Sequence, residues 1–176
     1  EEARYISFGG EEVPFGPQIL FAADGMDSLI VAAEICEDVW SPIPPSIHAA
    51  LEGATVIVNC SASDETIGKD TYRRELISGQ SARLIAGYVY ANAGEGESTT
   101  DVVFGGHNII AENGAILKQA RRYHNEIIYS ELDIQRIVSE RRRNTTFKTA
   151  GRHSLIKVPF HIINEKTSLT RHFPKM

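Results

Sequence analysis

Two short apolar runs, each followed by the signals of a helix, constrain the fold of this chain most strongly. The first run covers 28–35 and the second covers 55–60. Continuous runs of this length, rich in Val, Ile and Ala, are typical of strands that helices bury on both faces. Because the strand and helix signals alternate along the chain, the sequence predicts an α/β or α+β fold around a sheet covered by helices.

Helix signals follow both runs. Pro44 and Pro45 suit the first turn of a helix, and Gly53 stands where a C-terminal cap is expected. A longer helix is predicted over about 69–86. Five apolar residues fall on one side of this helix and are predicted to form its buried face: Tyr72, Leu76, Ile77, Leu84 and Ile85.

The remaining pattern predicts smaller elements on either side of these units. Asn113-Gly114 is a strong hairpin signal within 108–118, and Asp133 can cap a helix that ends at the arginines 141–143. Further predicted elements are a hairpin over 5–16, strands over 18–23, 88–91 and 126–132, and a strand-like stretch over 154–158.

Length and charge exclude several classes of function. The chain has 176 residues, enough for about one domain of ordinary size. Its formal charge of −5 and the lack of a basic stripe argue against a nucleic-acid partner. Without an apolar stretch of roughly 20 residues or a leader sequence, no membrane association is expected. Two cysteines make no disulfide framework, and the expected location is the cytoplasm.

Cys36 is the leading candidate for a catalytic residue. It falls just after the first apolar run and before the prolines, so it is expected at the carboxyl end of the sheet, where α/β folds bind ligands. A sharp strand-to-helix turn exposes a nucleophile and aims backbone N–H groups at a developing oxyanion. The alternative is a buried structural cysteine. Three nearby carboxylates, Glu34, Glu37 and Asp38, argue against that alternative because burying them unpaired is costly.

The sequence around Cys36 resembles a known family. Cys-Glu-Asp-Val-Trp at 36–40 is similar to the nucleophile segment of the nitrilase, or carbon–nitrogen hydrolase, superfamily, and in particular to the glutaminase domains of glutamine-dependent NAD synthetases. The resemblance spans most of 28–147. Its other blocks are 53–63, Gly68-Lys69 with Arg74, 90–104 and 140–143.

This resemblance implies an αββα sandwich and a Glu-Lys-Cys triad in which Cys36 attacks the side-chain amide of glutamine. It places Glu37, Ser63 and Lys69 at the amino-acid head of glutamine, with the Glu37 N–H in the oxyanion hole. Relatives often carry Arg in place of Lys69. The released ammonia is expected to reach an ATP-dependent synthetase domain that forms NAD. No cofactor is implied for the glutaminase part, ATP and magnesium are implied for the synthetase domain, and a homo-oligomer is expected.

The chain departs from the family pattern at the triad. The family's lysine and general-base glutamate lie upstream of the cysteine, but no lysine of this chain precedes Cys36. We therefore expect residues 1–150 to be the later part of the glutaminase domain and 151–176 to be a linker toward the synthetase domain. A structural or interaction unit without activity stays an alternative, as does a stand-alone amidase or carbamoylase of the same superfamily.

Other reactive side chains are given structural interpretations. Cys60 is expected to be structural, and Glu34 to pair with Arg73 or Arg74. His48 is expected on the surface or in a groove rather than in a Cys-His pair. The six histidines lack the spacing of metal ligands, so a metal site is not expected.

Overall fold

The computed structural model describes residues 3–147 and 155–163. Nine strands and three helices form its regular framework. The strands are β1 (Arg4–Phe8), β2 (Glu11–Phe15), β3 (Ile19–Asp24), β4 (Ile30–Ile35), β5 (Val56–Ser61), β6 (Gly87–Asn92), β7 (Ile109–Glu112), β8 (Ala115–Gln119) and β9 (Ile156–His161). The helices are α1 (Pro45–Leu51), α2 (Lys69–Leu84) and α3 (Ile134–Arg143).

Seven strands form one mixed sheet in the order β8-β7-β6-β5-β4-β3-β9, while β1 and β2 form a separate hairpin. The central strands β4, β5 and β6 are parallel, because α1 and α2 carry the chain back between them. Antiparallel β7 and β8 join through the predicted turn, where Asn113 and Gly114 both have positive φ. The mixed α/β class is thus confirmed, and the described residues supply one sheet with its helices, a unit that an αββα sandwich contains twice.

The main core lies between this sheet and the helices α1 and α2. Ile77 of α2 is completely buried there, as are Ile57 and Tyr88 on the facing strands. One detail of the predicted stripe is wrong, because Tyr72 is exposed and Arg73 takes the buried position beside it. The Tyr72 ring instead packs on Trp40, with ring centroids 5.2 Å apart.

The opposite face of the sheet is covered only in part. Ile134 and Ile137 of α3 pack on Val56 and on the strand residues around it. Beyond the reach of α3, Ala33 and Ile35 of β4 are exposed. The prediction that β4 is buried on both faces is therefore wrong, since α3 covers only the part of this face that includes the starts of the parallel strands.

The strand predicted over 126–132 is also absent from the part of the chain that the structure describes. Ile127 and Tyr129, two of the apolar residues of this segment, are both largely exposed. With these apolar side chains exposed, little burial holds the segment against the sheet. The segment runs as an irregular connection between β8 and α3.

The start and the end of α3 differ in how well they were predicted. Asp133 caps the helix as predicted, accepting from the Arg136 N–H at 2.9 Å. Of the three terminal arginines, Arg141 is not simply solvated: its guanidinium donates to the carbonyls of Ala54, Leu84 and Ile85 at 2.7–3.2 Å. Burial lowers the pKa of Arg141 to about 10. With these hydrogen bonds, the Arg141 side chain satisfies the Leu84 and Ile85 carbonyls, which have no partner within α2.

The expected linker over 151–176 contains part of the main sheet. β9 pairs in parallel with β3, with Ile156 opposite Ile19 and His161 opposite Asp24. The strand-like stretch predicted at 154–158 therefore overlaps β9 at residues 156–158. Residues 148–154 and 164–176 lie outside the described residues.

Replacing Ile77 by Ala tests the main core. Removing a completely buried side chain leaves a cavity, so we expect Ile77→Ala to lower the free energy of unfolding by about 2–5 kcal/mol. The matched control is Ile67→Ala, because Ile67 is fully exposed, and its effect should stay within about 0.5 kcal/mol. Denaturant unfolding measures both, and equal losses in the two variants would contradict the core described here.

Candidate active site

Cys36 lies at the carboxyl end of β4, at the turn from the strand into a 3₁₀ helix, Cys36–Trp40. Its backbone has a φ of +49°, a conformation that residues other than glycine seldom adopt and that is concentrated at functional sites. The turn is closed by Asp38, whose carboxylate accepts from the Ile35 N–H at 2.7 Å. The predicted strand-to-helix position of Cys36 is confirmed, and the residue is half-buried.

The neighbouring strand β5 supports this turn from the side. Asn59 donates from its amide nitrogen to the Cys36 carbonyl at 3.4 Å and accepts from the Ser61 hydroxyl at 2.7 Å. Asn59 is buried, so its side chain is fixed between the two strands. Cys60, between these residues, is exposed on the other face of the sheet rather than buried in the core as a structural cysteine would be.

Glu34 is a buried carboxylate two residues before Cys36. It accepts from the Ser46 N–H at 3.0 Å and from the Tyr88 hydroxyl. Burial and then the charge of Glu34 raise the pKa of Tyr88, which therefore remains a donor. The predicted pairing of Glu34 with Arg73 or Arg74 is wrong, because the carboxylate instead satisfies a free N–H in the first turn of α1.

Ser63 lies two residues beyond the end of β5. Its main chain pairs with the Asn92 side chain, which accepts from the Ser63 N–H at 2.8 Å and donates to its carbonyl at 3.0 Å. Arg73 donates to the Ser63 hydroxyl oxygen at 3.2 Å. Because a guanidinium can only donate, the hydroxyl hydrogen of Ser63 is left to bond an acceptor.

Lys69 begins α2 and forms an ion pair with Asp64. The hydrogen bond from Lys69 holds the pKa of Asp64 below its usual range. The Lys69 ammonium also lies 5.9 Å from the Trp40 ring centroid, at the far end of the helix that begins with Cys36. A cation is thus placed between the segment after β5 and the Cys36 helix.

These contacts relate the four predicted site residues in two pairs. Ser63 and Lys69 belong to one network, since Arg73 bonds both the Ser63 hydroxyl and the Asp64 carbonyl, at 3.1 Å. Cys36 and Glu37 share the 3₁₀ helix, and Glu37 is exposed. The contact between Lys69 and Trp40 joins the two pairs. The cleft that we expect to hold Cys36, Glu37 and Ser63 together stays a prediction.

Arg73 is the main residue that the sequence pattern did not identify. It is completely buried, and it forms an ion pair with Glu65 at 2.7 Å in addition to its bonds around Ser63. The available signal was its position four residues after Lys69 and four before Ile77, which places all three along one side of α2. An arginine on such a stripe needs several acceptors, and the polar loop at 61–68 supplies them.

The other candidate residues are outside this arrangement. His48 lies exposed on α1, as expected, and lines a small cavity that also includes Ile43 and Ala49. Among the described residues no group of three or more side chains could hold a metal ion. Nor does any helix within them have the length and apolar character needed to cross a bilayer.

Comparison with known proteins gives close relatives. The chain is 47% identical over 154 residues to the glutamine-dependent NAD(+) synthetase of Mycobacterium tuberculosis strain ATCC 25618 / H37Rv. The match covers 86% of this chain and 23% of the mycobacterial protein. This chain therefore spans about a quarter of the length of the curated relatives that it matches.

Solved structures and a family model agree with this result. The crystal structure of a glutamine-dependent NAD(+) synthetase from Cytophaga hutchinsonii matches 69% of this chain and 18% of that one, with a TM-score of 0.56 and 28% identity. Nit3 of Saccharomyces cerevisiae, a nitrilase-superfamily member, shares the fold with a TM-score of 0.58 at 23% identity, over 68% of this chain and 43% of Nit3. The model of the carbon–nitrogen hydrolase family matches residues 2–142. The chain belongs to the carbon–nitrogen hydrolase family.

Proposed function

We propose that this chain is the nucleophile-bearing part of a glutaminase that releases ammonia for NAD synthesis. The observation that carries the proposal is the position of Cys36, half-buried at the carboxyl end of β4 with a positive φ. The similarity to glutamine-dependent NAD(+) synthetases over 86% of the chain supports glutamine as the source of the amide.

In the proposed reaction the Cys36 sulfur attacks the side-chain amide carbon of glutamine. Negative charge then develops on the amide oxygen, and the Glu37 N–H, the first after the nucleophile, stabilises it. The C–N bond breaks, ammonia leaves with a proton from the general acid, and a thioester to Cys36 remains. Water hydrolyses the thioester to glutamate and returns the thiol.

The amino-acid head of glutamine is proposed to lie against Ser63, Lys69 and Glu37. The Ser63 hydroxyl hydrogen is not used by Arg73, so it can be donated to the substrate carboxylate. Lys69 adds a positive charge that Asp64 and Trp40 hold in place. Glu37 is exposed and can accept from the substrate ammonium.

A cysteine nucleophile needs a base, and of the three carboxylates near Cys36 two are occupied elsewhere, while the third, Glu37, is exposed and is proposed to bind the substrate ammonium. Glu34 bonds Ser46 and Tyr88, while Asp38 bonds the Ile35 N–H. No lysine precedes Cys36 in the sequence. We therefore propose that the base and the lysine of the family triad are not supplied by these 176 residues. ATP and magnesium are proposed for the synthetase domain, and a homo-oligomeric, cytoplasmic enzyme is proposed for the whole protein.

Cys36→Ala tests the nucleophile in the protein that carries this chain and a synthetase domain. We expect NAD formation with glutamine to be lost and NAD formation with added ammonium to persist, because the two reactions use separate sites. Product formation from nicotinic acid adenine dinucleotide measures both. The matched control is Cys60→Ala, which should keep both activities. The Cys60 side chain lies on the face of the sheet opposite Asn59, the residue that supports the Cys36 turn. Loss of both activities in Cys36→Ala would refute a separate glutaminase site.

Lys69→Ala tests the charge at the substrate head. A hydrogen bond to a charged group contributes about 1.5–3 kcal/mol, so we expect the KM for glutamine to rise by about tenfold or more. Lys69→Arg should restore most of the affinity, and Lys118→Ala, an exposed lysine on β8, should change nothing. Steady-state glutaminase kinetics give the result. A normal KM in Lys69→Ala would remove Lys69 from the site.

The 176-residue chain alone tests where the base comes from. We expect no measurable glutamine hydrolysis from it, because the base and the lysine of the family triad are proposed to lie outside these 176 residues. Glutamate release is compared with that of the whole enzyme at equal concentration of sites, with circular dichroism to show that the chain is folded. Turnover by the folded chain comparable to the whole enzyme would contradict the proposal, and the stand-alone amidase interpretation would then gain support.

A further inference from the structure

A polar cavity of about 460 Å³ lies between the first turns of α2 and the segment that follows β8. Its volume falls in the range of small-molecule sites. None of the roles proposed for glutamine hydrolysis uses it. We name it the arginine cavity, and its lining residues are Asp70, Thr71, Arg74, His107 and residues 119–124.

The lining carries an excess of positive charge. Arg74, Arg121 and Arg122 all border the cavity, against the single carboxylate of Asp70. Arg122 is neutralised in part, with Asp70 at 3.2 Å and Glu65 at 3.6 Å. In the described part of the chain neither Arg74 nor Arg121 forms an ion pair. A cleft with unbalanced charge of one sign concentrates counter-ions, so the arginine cavity selects anions.

Glu126 offsets only part of this excess. Its carboxylate accepts from the backbone N–H of Arg121 at 2.6 Å, which fixes the main chain at the cavity. The Arg121 guanidinium remains available to a ligand. Both Arg121 and Arg74 are exposed, so a small molecule can reach them from solvent.

His107 adds a fixed neutral donor to the wall. It is 5% exposed, and its Nδ1 lies 3.1 Å from a guanidinium nitrogen of Arg73. Because arginine can only donate, Nδ1 is the acceptor and the ring proton is on Nε2. Burial and then the charge of Arg73 lower the pKa of His107, which keeps the ring neutral. No hydrogen bond among the described residues uses Nε2, so this N–H is free for a ligand.

We propose that the arginine cavity binds the phosphate group of a small molecule. A guanidinium group donates two parallel hydrogen bonds to two oxygens of a phosphate. A phosphate has enough oxygens to accept from Arg74, Arg121 and the His107 N–H together. A single carboxylate has two oxygens and one charge, and it satisfies this set of donors less well. Arg73 is not a ligand, since it is completely buried and its two terminal nitrogens serve Glu65, Ser63 and His107.

Calorimetric titration of the protein that carries this chain with inorganic phosphate tests the proposal at low ionic strength and pH 7.5. We expect saturable binding at one site per chain. Acetate at the same ionic strength should bind about tenfold more weakly or not at all. Absence of saturable phosphate binding, or equal binding of acetate, would overturn the proposal. A phosphomonoester that binds more tightly than inorganic phosphate would support a phosphorylated small molecule over the free ion.

Variants locate the site. The double substitution Arg74→Gln and Arg121→Gln should weaken phosphate binding by about tenfold or more. Its matched control is Arg83→Gln with Arg142→Gln, which removes the same charge from exposed positions outside the cavity. An equal loss in the control would show general charge attraction and overturn the proposal. Arg121→Lys keeps the charge but loses the two parallel hydrogen bonds of a guanidinium. Its affinity for phosphate should lie between those of the unsubstituted protein and the Arg74→Gln, Arg121→Gln double variant.

Discussion

The buried carboxylate of Glu34 is the contact on which the arrangement around Cys36 depends. It accepts from the N–H of Ser46 at the start of α1 and from the hydroxyl of Tyr88 on β6. Gln80 of α2 donates to the Ser46 hydroxyl at 3.0 Å, so the same network reaches the second helix. A charge buried at 2% exposure is tolerated only when such bonds are complete. This network therefore fixes α1, α2 and β6 relative to Glu34 of β4, two residues before Cys36.

The fold and the position of Cys36 could largely be predicted, because both depend on local patterns. Apolar runs, prolines and the Asn113-Gly114 turn act within a few residues, and the structure has the corresponding strands, helices and hairpin. The prediction failed for features that depend on how distant segments pack against the sheet. The apolar residues of 126–132 are compatible with a strand, and only the exposure of Ile127 and Tyr129 shows that the segment does not pack on the sheet. The extent of burial of β4 depends on how far α3 reaches across the sheet.

The hydrogen-bond partners of the charged residues could not be predicted from the sequence either. Glu34 carries the charge that an arginine would satisfy, yet it bonds a helix N–H and a tyrosine, while Arg73 bonds Glu65 and the loop around Ser63. Several pairings are compatible with one sequence, and the crossing of α1 and α2 over the sheet selects among them. The family resemblance supplied the roles that we propose for Ser63 and Lys69. The structure adds the contacts through which Arg73 and Trp40 position them.

The edge strand β9 limits how the sheet can grow. Ile156 donates its N–H to the Gln18 carbonyl at 3.0 Å, so alternate residues from Ile156 onward direct their backbone groups toward β3. Lys157, Pro159 and His161 then present theirs to the outside. Proline has no N–H, so the outward row of donors is interrupted at its centre, beside a charged lysine. An incoming strand from another chain cannot complete a ladder there, and this edge is protected against aggregation by strand addition.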